Sequence, residues 1–249
     1  MTDAIDRPVT HVVVLAGGLG TRLSPIMKDT PKVLAPVAGR PFLDWKLDEF
    51  IRNAITHVTL LLGHGSALVI DYIAERNYPL SITTALDGPK LCGTGGAVMN
   101  ILKKQSHDFY LTYGDSLLDM PYQDLYRSRQ QMHTPHALAV TSTIGAADRP
   151  NCEITDGLIT RHDKSDTAGM TATDYGLMLF NPQSLTKAIA VPTQPLDLAH
   201  IVNTLAQRHL LAAHSTHHPY WEIGTPDSLA QVTEHLRASK SKESSHASE

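Results

Sequence analysis

Apolar positions along this chain change spacing repeatedly, and each change marks an element. His11–Leu15 (HVVVL) is a short β-branched run, the pattern of a strand buried on both faces. After Pro41, the residues Leu43, Leu47, Phe50, Ile51 and Ala54 recur at the spacing of one helix face. His57–Leu62 predicts a second strand, Ser66–Arg76 a helix with Ser66 as its N-cap, and Leu80–Leu86 a third strand. A helix near Ala97–Lys103 and a strand at Phe109–Tyr113 continue the series. Strands alternating with helices in this way predict a mainly parallel sheet with helices on both faces.

Beyond Pro135 the texture changes. Ala137–Ile144, Cys152–Thr155 and Leu158–His162 read as short strands of a mixed, partly antiparallel region, followed by a strand at Leu177–Phe180. Leu198, Ile201, Val202 and Leu205 share one helix face, and Leu210–His214 predicts a last strand. Thr225 and Pro226 then read as the cap and first residue of a final helix. No repeat or long linker divides residues 1–238, which read as one domain, and the polar stretch 239–249 reads as a disordered tail.

Composition narrows the functional classes. With 249 residues, 42% of them hydrophobic, the chain can bury a substantial core and is not of the disordered type. A net charge of −4 with scattered Lys and Arg gives no basic stripe, which argues against a nucleic-acid partner. No apolar run approaches the roughly 18 residues of a membrane helix, so no membrane partner is expected. The first residues lack a signal peptide's basic and apolar regions. Two cysteines, Cys92 and Cys152, cannot staple a fold of this size and fit a reducing compartment, so a cytoplasmic location is expected. The 14 histidines show no zinc-hydrolase spacing, and the cluster His214–His218 reads as surface.

The glycine-rich turn Ala16–Leu23 (AGGLGTRL) directly follows the first strand, where α/β folds place phosphates. It is not a P-loop, which ends Gly-Lys-Ser/Thr, because here Gly20 leads to Thr21 and Arg22. Nor does it complete the dinucleotide pattern: the third glycine is replaced by Leu23, and the second strand ends without an acidic residue.

In its wider context the turn says more. The run Leu15–Val37, LAGGLGTRLSPIMKDTPKVLAPV, resembles the signature of the sugar-phosphate nucleotidylyltransferase superfamily. LCGTGGAV at Leu91–Val98 resembles that family's second nucleotide loop, and YGDS at Tyr113–Ser116 its metal-binding Gly-Asp. DYGLMLF at Asp174–Phe180 is similar to its sugar-pocket strand, and EIGTPDSL at Glu222–Leu229 to its late acidic motif. Five motifs in order cover nearly the whole chain. The resemblance implies a Rossmann-like nucleotidyltransferase domain around a mixed, mainly parallel central sheet. It also implies a reaction: a nucleoside triphosphate and a sugar 1-phosphate give a nucleotide sugar and pyrophosphate. The short length and the late EIGTP are similar to the branch that uses GTP with a heptose 1-phosphate. UTP or CTP with a hexose or an N-acetyl sugar stays open, as does a catalytically silent nucleotide-sugar-binding relative.

The resemblance also assigns residues. Leu15, Ala16, Gly17, Gly18, Gly20 and Thr21, with Gly93 and Thr94, would lie against the nucleotide, the glycine of the second loop leaving room for the base. Arg22 would grip the β- and γ-phosphates, a task suited to its planar, bidentate guanidinium. Lys32, aimed by Pro31, would place a compact ammonium between the two reacting phosphates. Asp115 and Glu222 would hold Mg²⁺, which takes one or two carboxylates beside phosphate and water. Glu222 departs from the Asp found in many relatives. Lys164 would contact the sugar phosphate, and Asp174 and Glu153 the sugar hydroxyls.

Overall fold

The computed structural model describes residues 8–18, 23, 27, 30–86, 92–142, 149–189 and 195–246, the side chains of 240–246 excepted. Its first half holds strand β1 (His11–Leu15), the hairpin β2 (Pro36–Val37) and β3 (Arg40–Pro41), helix α1 (Phe42–Arg52), β4 (His57–Leu62), α2 (Ser66–Ala74) and β5 (Ser81–Leu86). Then come α3 (Gly93–Ile101), β6 (Phe109–Tyr113), β7 (Ser116–Leu118), α4 (Tyr122–Gln131) and β8 (His136–Thr141). The second half adds β9 (Cys152–Thr155), β10 (Leu158–His162), β11 (Thr173–Phe180), α5 (Pro182–Ala188), α6 (Leu198–Gln207), β12 (Leu211–Thr216), β13 (Tyr220–Glu222) and α7 (Pro226–His246).

Nine strands form one sheet in the order β5-β4-β1-β6-β11-β8-β12-β10-β9. Only β11 and β10 run against the other strands, so the sheet is mixed and mainly parallel, as the pattern of elements predicts. Successive side chains of a strand face opposite ways, and this splits the core in two. Val12 and Val14 pack with Leu43, Leu47 and Phe50 of α1, Val69 of α2 and Leu125 of α4. Val13 packs on the other side with Val98 of α3, Leu185 of α5 and Ile201, Val202 and Leu205 of α6. A third, smaller cluster lies where α7 covers the β2–β3 hairpin, with Val37, Phe42, Leu117, Ile223 and Val232 at its centre.

Several boundaries differ from the sequence expectation, each for a local reason. Ile51 is 42% exposed, and Ala54 lies past the end of α1 in the left-handed region (φ +55°); Ile55 is the residue that turns inward. Ser66 is the first residue of α2 rather than its cap, and Gly65 holds the cap position without a side-chain bond. Helix α3 begins at Gly93, four residues before Ala97, and its first turn runs so close to the 196–197 backbone that a Cβ on Gly93 or Gly95 would collide with it. Strand β8 ends at Thr141, and residues 143–148 lie outside the described set. The Thr225 cap is present: Ser228 N donates to Thr225 Oγ1 at 3.2 Å and Thr225 N to Ser228 Oγ at 2.9 Å, a reciprocal box. The helix it starts continues to His246, so most of the stretch read as a disordered tail carries helical backbone.

Candidate functional site

The chain leaves β1 for β4 on one side and later returns to β6 on the other. Strand order therefore reverses at β1, which opens a crevice beyond its C-terminal end. Leu15 pairs with Leu61 on β4 and with Tyr113 on β6, and these three residues form the floor of a cavity of about 330 Å³. Ala16, Gly17 and Gly18 continue one wall, Gly93, Thr94 and Ala97 another, and Lys32, Val33, Gly114 and Asp115 a third.

Two charged groups face each other in this cavity. Lys32 begins a short 3₁₀ turn (Lys32–Leu34), pinned by the buried Val33 and by Leu34 N donating to Pro31 O at 2.8 Å. Asp115 sits on the turn that joins β6 to β7. That turn is held against β1 by Gly114 N donating to Leu15 O at 2.9 Å. A side chain at Gly114 would meet Val33 Cγ1, Ala16 Cβ and Leu15 O at 3.0 to 3.1 Å, so a glycine lets the turn close in. Lys32 Nζ donates to Asp115 Oδ2 at 2.6 Å, a charge-assisted contact bridging 83 residues of sequence.

Glu222 comes to this turn through the backbone. Strand β13 pairs antiparallel with β7, placing Glu222 opposite Ser116, and Ile223 N donates to Asp115 O at 2.9 Å. The Glu222 side chain is exposed and lies against Gly224, outside the cavity lining. The two carboxylate positions are thus next to each other on one small ladder. Among the described residues no group of three or more His, Cys, Asp or Glu is placed to hold a metal.

Gly93 and Thr94 line the cavity, but their closest demands come from the protein. A Cβ on Gly93 would lie 2.4 Å from Leu196 O, and its φ of +78° is itself a glycine conformation. The Thr94 hydroxyl accepts from Leu198 N at 2.9 Å, capping α6 from outside that helix. The glycine expected to leave room for a base leaves room first for the 196–197 backbone.

The sugar-side candidates stand apart from the cavity. Asp174 folds its carboxylate back, accepting from Gly176 N at 2.8 Å, with Oδ2 3.7 Å from the buried His162 Nε2. Glu153, on the edge strand β9, receives Arg161 Nε at 3.1 Å. Lys164 is exposed on the turn after β10. There Asp163 accepts from Ser165 N and Oγ at 2.7 Å, and these bonds pull its carboxyl down to about 2. Tyr113 links the two regions. Burial first, then the nearby Asp174, Asp197 and Asp115 charges, push its phenol well above the usual range. Gly20, Thr21 and Arg22 lie outside the described residues. Leu61 is absent from the sequence reading of the site and Tyr113 enters it only as part of the YGDS motif, without a role, although the strand ends neighbouring β1 point to both.

Comparison with known proteins agrees with this architecture. A family model described as nucleotidyl transferase matches residues 11–239. The D-glycero-alpha-D-manno-heptose 1-phosphate guanylyltransferase of Campylobacter jejuni is 32% identical over 115 residues, 46% of this chain and 52% of that protein. The mannose-1-phosphate guanyltransferase beta-A of Xenopus laevis is 25% identical over 242 residues, 92% of this chain and 66% of that protein. The chain thus spans between half and two thirds of the length of these curated relatives. Among solved structures, HddC from Yersinia pseudotuberculosis superposes with a TM-score of 0.76 at 21% identity, covering 92% of this chain and 100% of that one, a likeness of fold.

Proposed function

Because the chain belongs to the nucleotidyl transferase family, we propose that it joins a nucleoside triphosphate to a sugar 1-phosphate, releasing pyrophosphate. The observation that carries this reading is the cavity beyond β1, where a glycine turn, a lysine and a carboxylate converge. A phosphate oxygen of the sugar phosphate attacks the α-phosphorus; the new P–O bond forms as the bond to pyrophosphate breaks. Such a site has two tasks, to align two anions that repel each other and to offset charge as it moves to the leaving group.

Lys32 meets both tasks. At an effective dielectric near 20, a unit charge about 4 Å away interacts by about 4 kcal/mol before desolvation. Its present partner, Asp115, must give up that contact when phosphates enter. The turn Leu15–Gly18 and the Gly93–Thr94 segment enclose the nucleotide, with Leu61 and Tyr113 beneath it. Arg22 binds the departing phosphates in the same reading. Asp115 and Glu222 suit Mg²⁺ by donor type, being hard oxygen ligands on one ladder, and two carboxylates suffice for an ion that takes its other ligands from phosphate and water. When bound, Mg²⁺ supplies charge neutralisation on the triphosphate. Lys164, Asp174 and Glu153 define the sugar side in this reading, Asp174 through its place near Tyr113, Lys164 on the turn after β10 and Glu153 on β9, held by Arg161.

GTP with a heptose 1-phosphate is the substrate pair we favour, supported by the Campylobacter relative and by the late EIGTP sequence. The two cysteines are buried thiols, which suits the reducing cytoplasm where we place the enzyme. No helix among the described residues is long and apolar enough to cross a membrane.

The test is a melting panel with GTP, UTP, CTP, ATP and dTTP, each with and without Mg²⁺, followed by pyrophosphate release with sugar 1-phosphates. GTP with Mg²⁺ is expected to raise Tm most, since a ligand of the native state stabilises it by linkage. A larger shift with another triphosphate reassigns the base, and no shift with any overturns the reading. Asp115→Ala is expected to abolish turnover in a folded protein; full activity there removes Asp115 from the site. Lys32→Met is expected to lower kcat on the order of 100- to 1,000-fold, the usual cost of one lost transition-state contact.

A further inference from the structure

Helix α1 buries an ion pair that the site described above does not use. Lys46 and Glu49 are both 0% exposed, with Lys46 Nζ 3.0 and 3.1 Å from the two carboxylate oxygens. A buried pair of this kind is seldom a net source of stability, since apolar residues of similar volume do as well or better. Its other contacts show what it does. Lys46 Nζ donates to Thr112 Oγ1 at 3.4 Å, and Glu49 Oε2 accepts from Leu118 N at 3.0 Å. Thr112 lies three residues before Asp115 and Leu118 three residues after it. Glu49 Oε1 also accepts from the Tyr122 hydroxyl at 2.5 Å, and Asn53 Oδ1 from Tyr122 N at 2.8 Å, so the tether extends to the start of α4.

We propose that Glu49 is a positioning residue for Asp115, an internal clamp that grips the β7 arm of its turn from beneath, with Lys46 as the counter-ion that seats its carboxylate beside Thr112. Thr112 lies on β6, the arm from the central sheet. Leu118 ends the arm on β7, which β13 supports from the other edge through Glu222 opposite Ser116. One buried carboxylate therefore stands in for a missing neighbouring strand along β7 and fixes the ladder that carries both acidic positions. The function assigned to this clamp rests on the nucleotidyl-transfer reading; its mechanical part does not.

Two double variants separate the clamp from the charge. K46M/E49Q and K46M/E49L both remove the ion pair and the Thr112 contact. Only the glutamine variant keeps a carbonyl able to accept from Leu118 N and an amide able to meet the Tyr122 hydroxyl. Hydrogen exchange of the 114–120 amides is expected to quicken at least 10-fold in K46M/E49L and to stay near the parent rate in K46M/E49Q. In Mg²⁺ titrations of pyrophosphate release, K46M/E49L is expected to need about 10-fold more Mg²⁺ and to lose kcat with little change in nucleotide KM, and K46M/E49Q to recover most of both. Equal exchange in the two variants overturns the clamp, and so does unaltered Mg²⁺ activation in K46M/E49L. If the parent protein transfers no nucleotide, the nucleotidyl-transfer reading fails, and the exchange comparison still decides whether the clamp exists. Should K46M/E49L not fold, the single variant Tyr122→Phe removes one of the two donors to Glu49 Oε1 and is expected to quicken the same amides by a smaller factor; unchanged exchange there overturns the clamp.

Discussion

At the scale of single residues, the cavity depends on atoms that are missing as much as on those present. Gly93 shows this most sharply. A methyl group there would have to displace the Leu196 carbonyl, which is backbone and tied on both sides by Leu196 N donating to Cys92 O and by Gly95 N donating to Leu196 O. The positive φ adds a second penalty, since an L-residue in the left-handed region is strained by about 1 kcal/mol or more. Gly93→Ala is therefore expected to lower stability by about 2 to 4 kcal/mol in urea unfolding and to weaken nucleotide binding with it. A variant as stable as the parent would show that the 196–197 segment yields easily. Lys32 contrasts with this: its loss should cost less stability than Gly93→Ala, because it leaves Asp115 beside an open cavity that water can enter and displaces no backbone.

At the scale of elements, the sequence is most legible where a single period dominates. β1, β4, β6 and α6 can be read because short runs of β-branched, leucine or aromatic residues and a clean apolar face admit one interpretation. Helix α4 cannot. Its sequence YQDLYRSRQQ is polar on average, and its inner face is built from Tyr122, Leu125, Tyr126 and the stem of Arg129, residues that serve outside as well as in. The Lys46–Glu49 pair is equally hidden, since charges three apart on a helix ordinarily mark a solvated face. At the site, Leu15–Gly18, Lys32, Gly93, Thr94 and Asp115 are legible as motifs, whereas the separation of Glu153 and Lys164 from the cavity follows from strand order alone.

The strands also set how the protein responds to acid. On β8, His136 packs edge-on against Phe180 and accepts from Asn181 N at 3.3 Å. Burial, aided by the Arg129 charge, pushes it down to about 3, and burial with the nearby His57 pushes His11 on β1 down to about 4. In the unfolded chain both titrate near 6.5. Below that pH the unfolded state binds protons that the folded state refuses, so stability falls as pH drops from about 6.5 toward 4. The limiting slope is about 1.4 kcal/mol per pH unit for each histidine. Urea midpoints are expected to fall between pH 7 and pH 5, and His136→Asn, which keeps an acceptor for Asn181 N, is expected to shrink that fall by about one proton's share. An unaltered fall in the variant would mean that His136 takes up its proton without unfolding.

For the whole molecule, the relevant division is between two large cores on the faces of the sheet and a small third one under α7. Both tryptophans report on the third. Trp45 packs against it and donates to Val37 O at 2.9 Å, and Trp221 stacks on His235 with ring centroids 4.0 Å apart. Segments with the least buried contact open at the lowest free energy. Tryptophan fluorescence is therefore expected to change at lower urea than far-UV circular dichroism, and nucleotide with Mg²⁺ to draw the two transitions together, because Leu117 of β7 belongs to this cluster. Coincident transitions without ligand would make all three cores one cooperative unit. The cavity spans the molecule in another sense. Every described residue that lines it lies between Leu15 and Asp115, yet one wall rests on Leu196–Leu198 and β6 needs β11 beside it. A chain emerging from the ribosome thus carries these lining residues long before it can shape them. It gains a working pocket only after about 80 further residues have been added, so a synthesis halted midway leaves a product that has these lining residues but no site.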